Sequence, residues 1–160
     1  MSGFSHLRQD GKAAMVDVSD KETTRRTARA SALVAMRRET VELLLEQGTP
    51  KGDPLETARL AGIMAAKKTS ELIPLCHPLL IEHVDVDAEI VDCGVAIETR
   101  VVTTGKTGAE MEALTAAAVA ALTVYDMCKA VDREMTIGDI QLEEKEGGKS
   151  GQFVRRRGDK

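Results

Sequence analysis

Aromatic side chains are nearly missing from this chain, which has no tryptophan, one tyrosine and two phenylalanines. Its core must therefore be filled by Ala, Val, Leu, Ile and Met, and such small side chains let helices and subunits approach closely. Cysteine is just as sparse. Cys76, Cys93 and Cys128 are odd in number and form no CxxC, which argues against a disulfide framework or a zinc ribbon and fits a reduced, cytoplasmic protein. Positive charge is not in excess either, since 22 basic and 26 acidic residues leave a net charge of −4. General nucleic-acid binding through a basic surface is thereby excluded. The longest apolar-rich run, 113–122, is too short and too interrupted for a membrane span, and the first residues lack a signal-peptide core.

What is present suffices for one domain with a real core, at 160 residues. Residues 1–15 are polar and read as a flexible arm, 16–152 as a single domain, and 153–160 as a flexible tail. A charged piece at 20–26 leads into an alternating strand at 27–34. Residues 39–47 form a leucine-rich helix closed by Gly48, and Asp53-Pro54 caps a second helix over LETARLAGIMAAKKT. Alternation at 82–90, a turn at 92–94 and the run VAIETRVVTT make a β-hairpin. A long alanine-rich helix begins at Ala109, with no Gly or Pro before Gly138, and 135–145 is the last strand. The order β-α-α-β-β-α-β points to an α+β fold, a ferredoxin-like sandwich with an antiparallel sheet and helices on one face.

The stretch TGKTGAEMEALTAAAVAALTVYDMCKAVD at 104–132 joins glycines, lysines and carboxylates to that long helix. Gly105 and Gly108 bracket Lys106 and Thr107, so the backbone can turn tightly and aim free amides at an anion. This is no Walker A loop, because the glycine required five positions before Gly105 is Arg100. Glu110 and Glu112 fall in the first helical turn, where the helix dipole favours negative charge. Asp126 and Lys129, spaced i,i+3, share one helix face as either a surface ion pair or working groups. Lys51 in the turn TPKGDP and Lys145 and Lys149 in KEGGKSG could join a phosphate cradle if the fold brings them together. Pro74 and Pro78 hold Cys76 and His77 in extended chain, pointing to opposite sides. That is poor geometry for a metal, so no metal is expected, and His77 is better suited to hydrogen bonding or acid–base work.

The blocks MVDVSDKETTRRTARA, LIPLCHPL, TGKTGAEMEALTAAAVAALTVYDMCKAVDREMTI and KEGGKSG together resemble the cyclic pyranopterin monophosphate synthases of molybdenum cofactor biosynthesis. The resemblance covers roughly residues 15–152. It implies conversion of 3′,8-cyclo-7,8-dihydro-GTP to cyclic pyranopterin monophosphate with release of diphosphate, without a cofactor. By this resemblance Lys51, His77, Glu110, Glu112, Asp126, Lys129 and Lys145 line the active site, with Asp126 as the catalytic residue and Lys129 and Lys51 as proton-transfer partners. Leu75, Cys76, His77, Met111 and Glu112 contact substrate, while Arg25, Arg26, Lys145 and Lys149 are candidates for a phosphate clamp. A homohexamer, a trimer of dimers, is also implied.

Helix geometry adds a constraint. Glu112 and Asp126 lie 14 positions apart, so at 1.5 Å per residue an unbroken helix separates them by roughly 21 Å. One compact site would use both only if the helix packs antiparallel against its copy across a two-fold axis. Two other readings stay open at this level. A nucleotide-binding regulatory module would keep its ligand affinity after Asp126→Asn, and a purely structural oligomer would bind no guanine nucleotide specifically. Cationic side chains on an acidic protein should make nucleotide binding depend on the triphosphate and weaken with salt. GTP should therefore bind more tightly than guanosine at low ionic strength, and equal affinities would show that these cations hold no phosphate.

Overall fold

A computed structural model describes residues 11–47, 49 and 51–156. Its elements run β1 (Thr24–Ala35), α1 (Arg38–Gln47), α2 (Pro54–Ala66), α3 (Thr69–Leu72), β2 (Ile81–Val91), β3 (Gly94–Gly105), α4 (Glu110–Cys128), β4 (Thr136–Glu146) and β5 (Phe153–Val154). The strands form one sheet in the order β2-β3-β1-β4-β5, and every neighbouring pair is antiparallel. The expected α+β sandwich of ferredoxin-like type is therefore the observed architecture. Two elements were not anticipated. Phe153–Val154 pairs with β4 inside the stretch expected as a flexible tail, and α3 follows α2 after a break. Thr69 makes that break: its buried hydroxyl donates to the carbonyls of Ala65 and Ala66 and so satisfies the end of α2. Most of the expected arm, residues 1–10, and the last four residues lie outside the described residues.

Alternation along β1 sorts the two faces of the sheet. Ala28, Ala30, Ala32 and Val34 are buried beneath the helices, whereas Arg25 and Arg29 stand on the open face. There Arg29 bonds Glu98 at 3.0 Å and approaches Glu144 at 3.7 Å. On the covered face α2 and α4 lie against each other and against the strands through Ala58 and Ala66 of α2 and Ala113, Ala116, Ala117, Ala120 and Ala121 of α4. Gly62 shows how close they come: a β-carbon there would lie 3.1 Å from the Ala116 carbonyl oxygen and 3.1 Å from Val86 Cγ2. The α2 N-terminus is capped as its sequence dictates, with Asp53 accepting from the amides of Leu55 at 2.8 Å and Glu56 at 3.1 Å. Although α4 is long and apolar enough to cross a membrane, more than half of it is buried inside the fold, as befits a core helix.

One buried charge ties the end of α4 to the start of α1. The Asp132 carboxylate accepts from the Arg37 amide at 3.1 Å, the Thr40 hydroxyl at 3.1 Å and the Glu134 amide at 3.0 Å, and meets the Arg37 guanidinium at 3.3 Å. Burial pushes its pKa up, but these donors and the guanidinium outweigh that effect and hold it below 3.8. Asp132→Ala would leave three donors without a partner and should cost about 3 kcal/mol, or roughly 10 °C in Tm. Because the folded pKa is depressed, this contribution is present at neutral pH and fades as pH falls through the folded value. Thermal melts of both proteins from pH 7 down to pH 3 should show the gap narrowing.

Candidate active site

Most of the residues singled out in the sequence gather near one end or the other of α4. At the C-terminal end, Lys129 Nζ lies 2.6 Å from Asp126 Oδ1. Lys51 reaches across from the turn before α2, donating to the Asp126 carbonyl at 3.0 Å and to Oδ2 at 3.2 Å. All three side chains are about half exposed. Hydrogen bonds from Lys129 and then Lys51 hold Asp126 below the usual carboxylate range, while the bond to Asp126 raises Lys129. A carboxylate clamped between two ammonium groups is the result.

At the N-terminal end the chain builds a cavity of about 400 Å³. Its walls come from three places: the 75–77 loop with Leu75, Cys76 and His77, the start of α4 with Glu110, Met111 and Glu112, and an N-terminal strap with Val16, Val18 and Lys21. Glu110 folds back over Gly108, where any side chain would collide with its carboxylate. Glu112 is 3 % exposed. Burial is the main reason its pKa rises to about 7, and the neighbouring Glu110 raises it further. Cys76 is pushed up by burial and by the charge of Glu112, so it is a neutral thiol rather than a nucleophile. Lys145 Nζ stands 3.9 Å from Glu110 and donates to Ser150.

Arg26 joins the two glycine–lysine turns. It donates to the carbonyls of Gly105 at 3.0 Å and Lys106 at 3.2 Å, while Gly148 packs against its guanidinium. The fold thus sets Arg26 on the Gly105 turn, brings Lys149 to line a cavity with Arg26 and Lys145 to within 3.9 Å of Glu110, and keeps Lys51 at the other end of α4. Arg25 is not part of this group either. Adjacent strand residues point to opposite faces, so Arg25 lies on the open face beside Asp85 and Glu98. Among the described residues, no three His, Cys, Asp or Glu side chains gather closely enough for a metal ion.

Sequence reasoning assigned no part to the strap. There Lys106 Nζ donates to the Ser19 carbonyl at 2.6 Å. Asp17 is held below the usual carboxylate range chiefly by hydrogen bonds from Ser19, with Lys106 and His77 nearby. The alternation of MVDVS, with valines facing one way and polar residues the other, was the available signal.

A buried carboxyl with a raised pKa opposes folding as it ionises. The folded state favours neutral Glu112, so from the ordinary 4.5 up to about 7 rising pH removes stability, roughly 3 kcal/mol in all. Glu112→Gln should therefore melt higher than the parent protein at pH 8 and show no such advantage at pH 4. Identical pH profiles of Tm would mean that Glu112 ionises as if in water.

Residues 15–148 match the model of the MoaC family. The chain is similar to a cyclic pyranopterin monophosphate synthase from Roseiflexus sp. (strain RS-1), 59% identical over 156 residues that cover 96% of this chain and 99% of the relative. A protein of the same name from Pelotomaculum thermopropionicum is 59% identical over 160 residues, covering 98% and 93%. Another, from Desulfatibacillum aliphaticivorans, is 56% identical over 156 residues, covering 96% and 98%. A match that runs through the strap, the 75–77 loop, the whole of α4 and the glycine turn after β4 shows that this chain belongs to the MoaC family.

Proposed function

We propose that this protein is a cyclic pyranopterin monophosphate synthase of molybdenum cofactor biosynthesis. As a phosphorus–oxygen lyase it would convert 3′,8-cyclo-7,8-dihydro-GTP to cyclic pyranopterin monophosphate and diphosphate. The observation that carries this reading is the complementary chemistry at the two ends of α4. A cavity lined by a carboxyl whose pKa burial raises to about 7 lies at one end, and an exposed lysine–aspartate–lysine trio at the other. Rearranging the rings of the substrate requires proton transfers, and closing a cyclic phosphate requires a sugar oxygen to displace diphosphate at the α-phosphorus. Glu112, near 7, can give or take a proton at neutral pH. Lys129, with its raised pKa, is loaded as a donor, and Asp126 orients it. His77 and the neutral Cys76 line the cavity for the base-derived end of the substrate. The free cysteines support a reducing, cytoplasmic setting.

The active site of this reading is shared between two copies. Pairing α4 with its copy across a two-fold axis would place the Asp126 end of one chain beside the Glu112 end of the other, giving two sites per dimer. Leu60, Met64 and Leu122, exposed on α2 and α4, support a partner on the helical layer. Covering the trio would also tune it, because loss of water lowers a lysine and raises an aspartate toward neutrality. Such dimers are the units of the expected hexamer.

Incubating the protein with 3′,8-cyclo-7,8-dihydro-GTP should yield cyclic pyranopterin monophosphate and diphosphate by mass spectrometry. Asp126→Ala and Glu112→Ala should each abolish this turnover. Mixing the two inactive proteins after dissociation and reassociation should restore part of it, since some mixed dimers regain one intact site. No recovery despite proven subunit exchange would place each site within one chain.

A further inference from the structure

The turn between β3 and α4 carries a lysine that the chemistry above leaves unused. Gly105 and Gly108 bracket Lys106, yet its ammonium is spent on protein, donating to the Ser19 carbonyl at 2.6 Å across 87 positions of sequence. We propose that Lys106 is a positioning residue, a latch that holds the strap at residues 16–21 over the cavity of Glu112 and keeps water out of it. This deepens the synthase reading and rests on it for the use of that cavity.

Three observations converge on the latch. Residues 16–21 belong to no helix or strand, so no ladder of backbone bonds fixes them to the body of the fold. A bond from the Lys21 amide to the Val18 carbonyl at 3.0 Å only folds the strap on itself. Its two faces differ, since Val16 and Val18 are half-buried and line the cavity whereas Asp17 and Ser19 are exposed. That is the pattern of a cover with its apolar side inward. The Lys106 end, in contrast, is anchored, because Arg26 donates to the carbonyls of Gly105 at 3.0 Å and of Lys106 itself at 3.2 Å. Charge supports the same contact: hydrogen bonds from Ser19 favour the ionised form of Asp17, which lies near both Lys106 and His77.

Closing the strap matters most to Glu112. The charged and titratable groups that line the cavity with it are Glu110 from its own helix, Cys76 and His77 from the 75–77 loop, and Lys21 from the strap. Burial is the main cause that lifts Glu112 to about 7, with Glu110 adding to it. Were the strap released, water would solvate the carboxylate and its pKa would fall back toward 4.5. Glu112 would then be ionised throughout the neutral range, with no proton to give.

The cysteines report the latch directly. Cys93 is exposed, Cys76 lines the cavity with the strap, and Cys128 is buried in the core. In Lys106→Ala protein, iodoacetamide should alkylate Cys76 about tenfold faster than in the parent, the loss of one charge-assisted hydrogen bond. Cys93 should react at its parental rate and Cys128 should stay unmodified. Lys106→Arg, which can still donate to the Ser19 carbonyl, should label like the parent. If alkylated Cys128 shows that Lys106→Ala has lost its fold, Lys106→Met, which keeps the apolar stem, makes the same comparison. Glu112 gives a second readout, because the higher Tm of Glu112→Gln at pH 8 should shrink when the substitution is made in the Lys106 variant. Parental labelling of Cys76 in the folded variant, or an undiminished Tm advantage, would overturn the latch. Neither readout needs substrate, so absence of turnover by the unaltered protein would instead sink the synthase reading and leave the latch in place.

Discussion

Everything functional in this chain is hung on the close approach of α4 to α2 and the sheet. Alanine and glycine make the contact, and at Gly62 a single added carbon would meet the Ala116 carbonyl and Val86 at 3.1 Å. Packing this tight leaves no slack for α4 to shift along the sheet, because a small-residue surface offers no long side chains to repack. The Thr99 hydroxyl adds a direct tie, donating to the Ala113 carbonyl of α4 at 2.9 Å. Scarcity of aromatics is thus a condition of the architecture, since a larger side chain anywhere on the alanine face would pry the layers apart.

A rigid helix of 19 residues keeps its ends apart, and the two ends differ electrostatically. Burial dominates at the start of α4, where Glu112 is forced toward neutrality in a cavity that also neutralises the Cys76 thiol. At the far end pairing dominates, and Asp126 is driven deeper into its charged form by two lysines in water. Asp132 fixes that end by clamping the turn after α4 to the start of α1. If two copies pair as proposed, these ends would be two halves of one site.

Local chemistry made much of this legible in advance. Periodicity in 82–104, the Asp53-Pro54 cap and the long alanine run each allow only one kind of element, and their order pointed to the sandwich. The reach of Lys51, the tuning of Glu112 and the separation of Arg25 from Arg26 were not legible in the same way. Lys51 lies 75 positions before Asp126 and meets it only because the turn before α2 and the end of α4 are packed side by side. The short β5 and the break at Thr69 escaped notice because two or four residues carry too little pattern.

The sequence by itself determined the element types, the side of each element that faces the core, the family and the identity of the chemical groups. These follow from short-range backbone preference, from alternation and from the side chains themselves. Tertiary structure alone decided which groups stand together: Arg26 across two distant glycine turns, and Lys51 against the Asp126 carboxylate. The reason is that proximity and burial depend on long-range packing, and a carboxyl's proton affinity is set by the water and charges packing leaves around it.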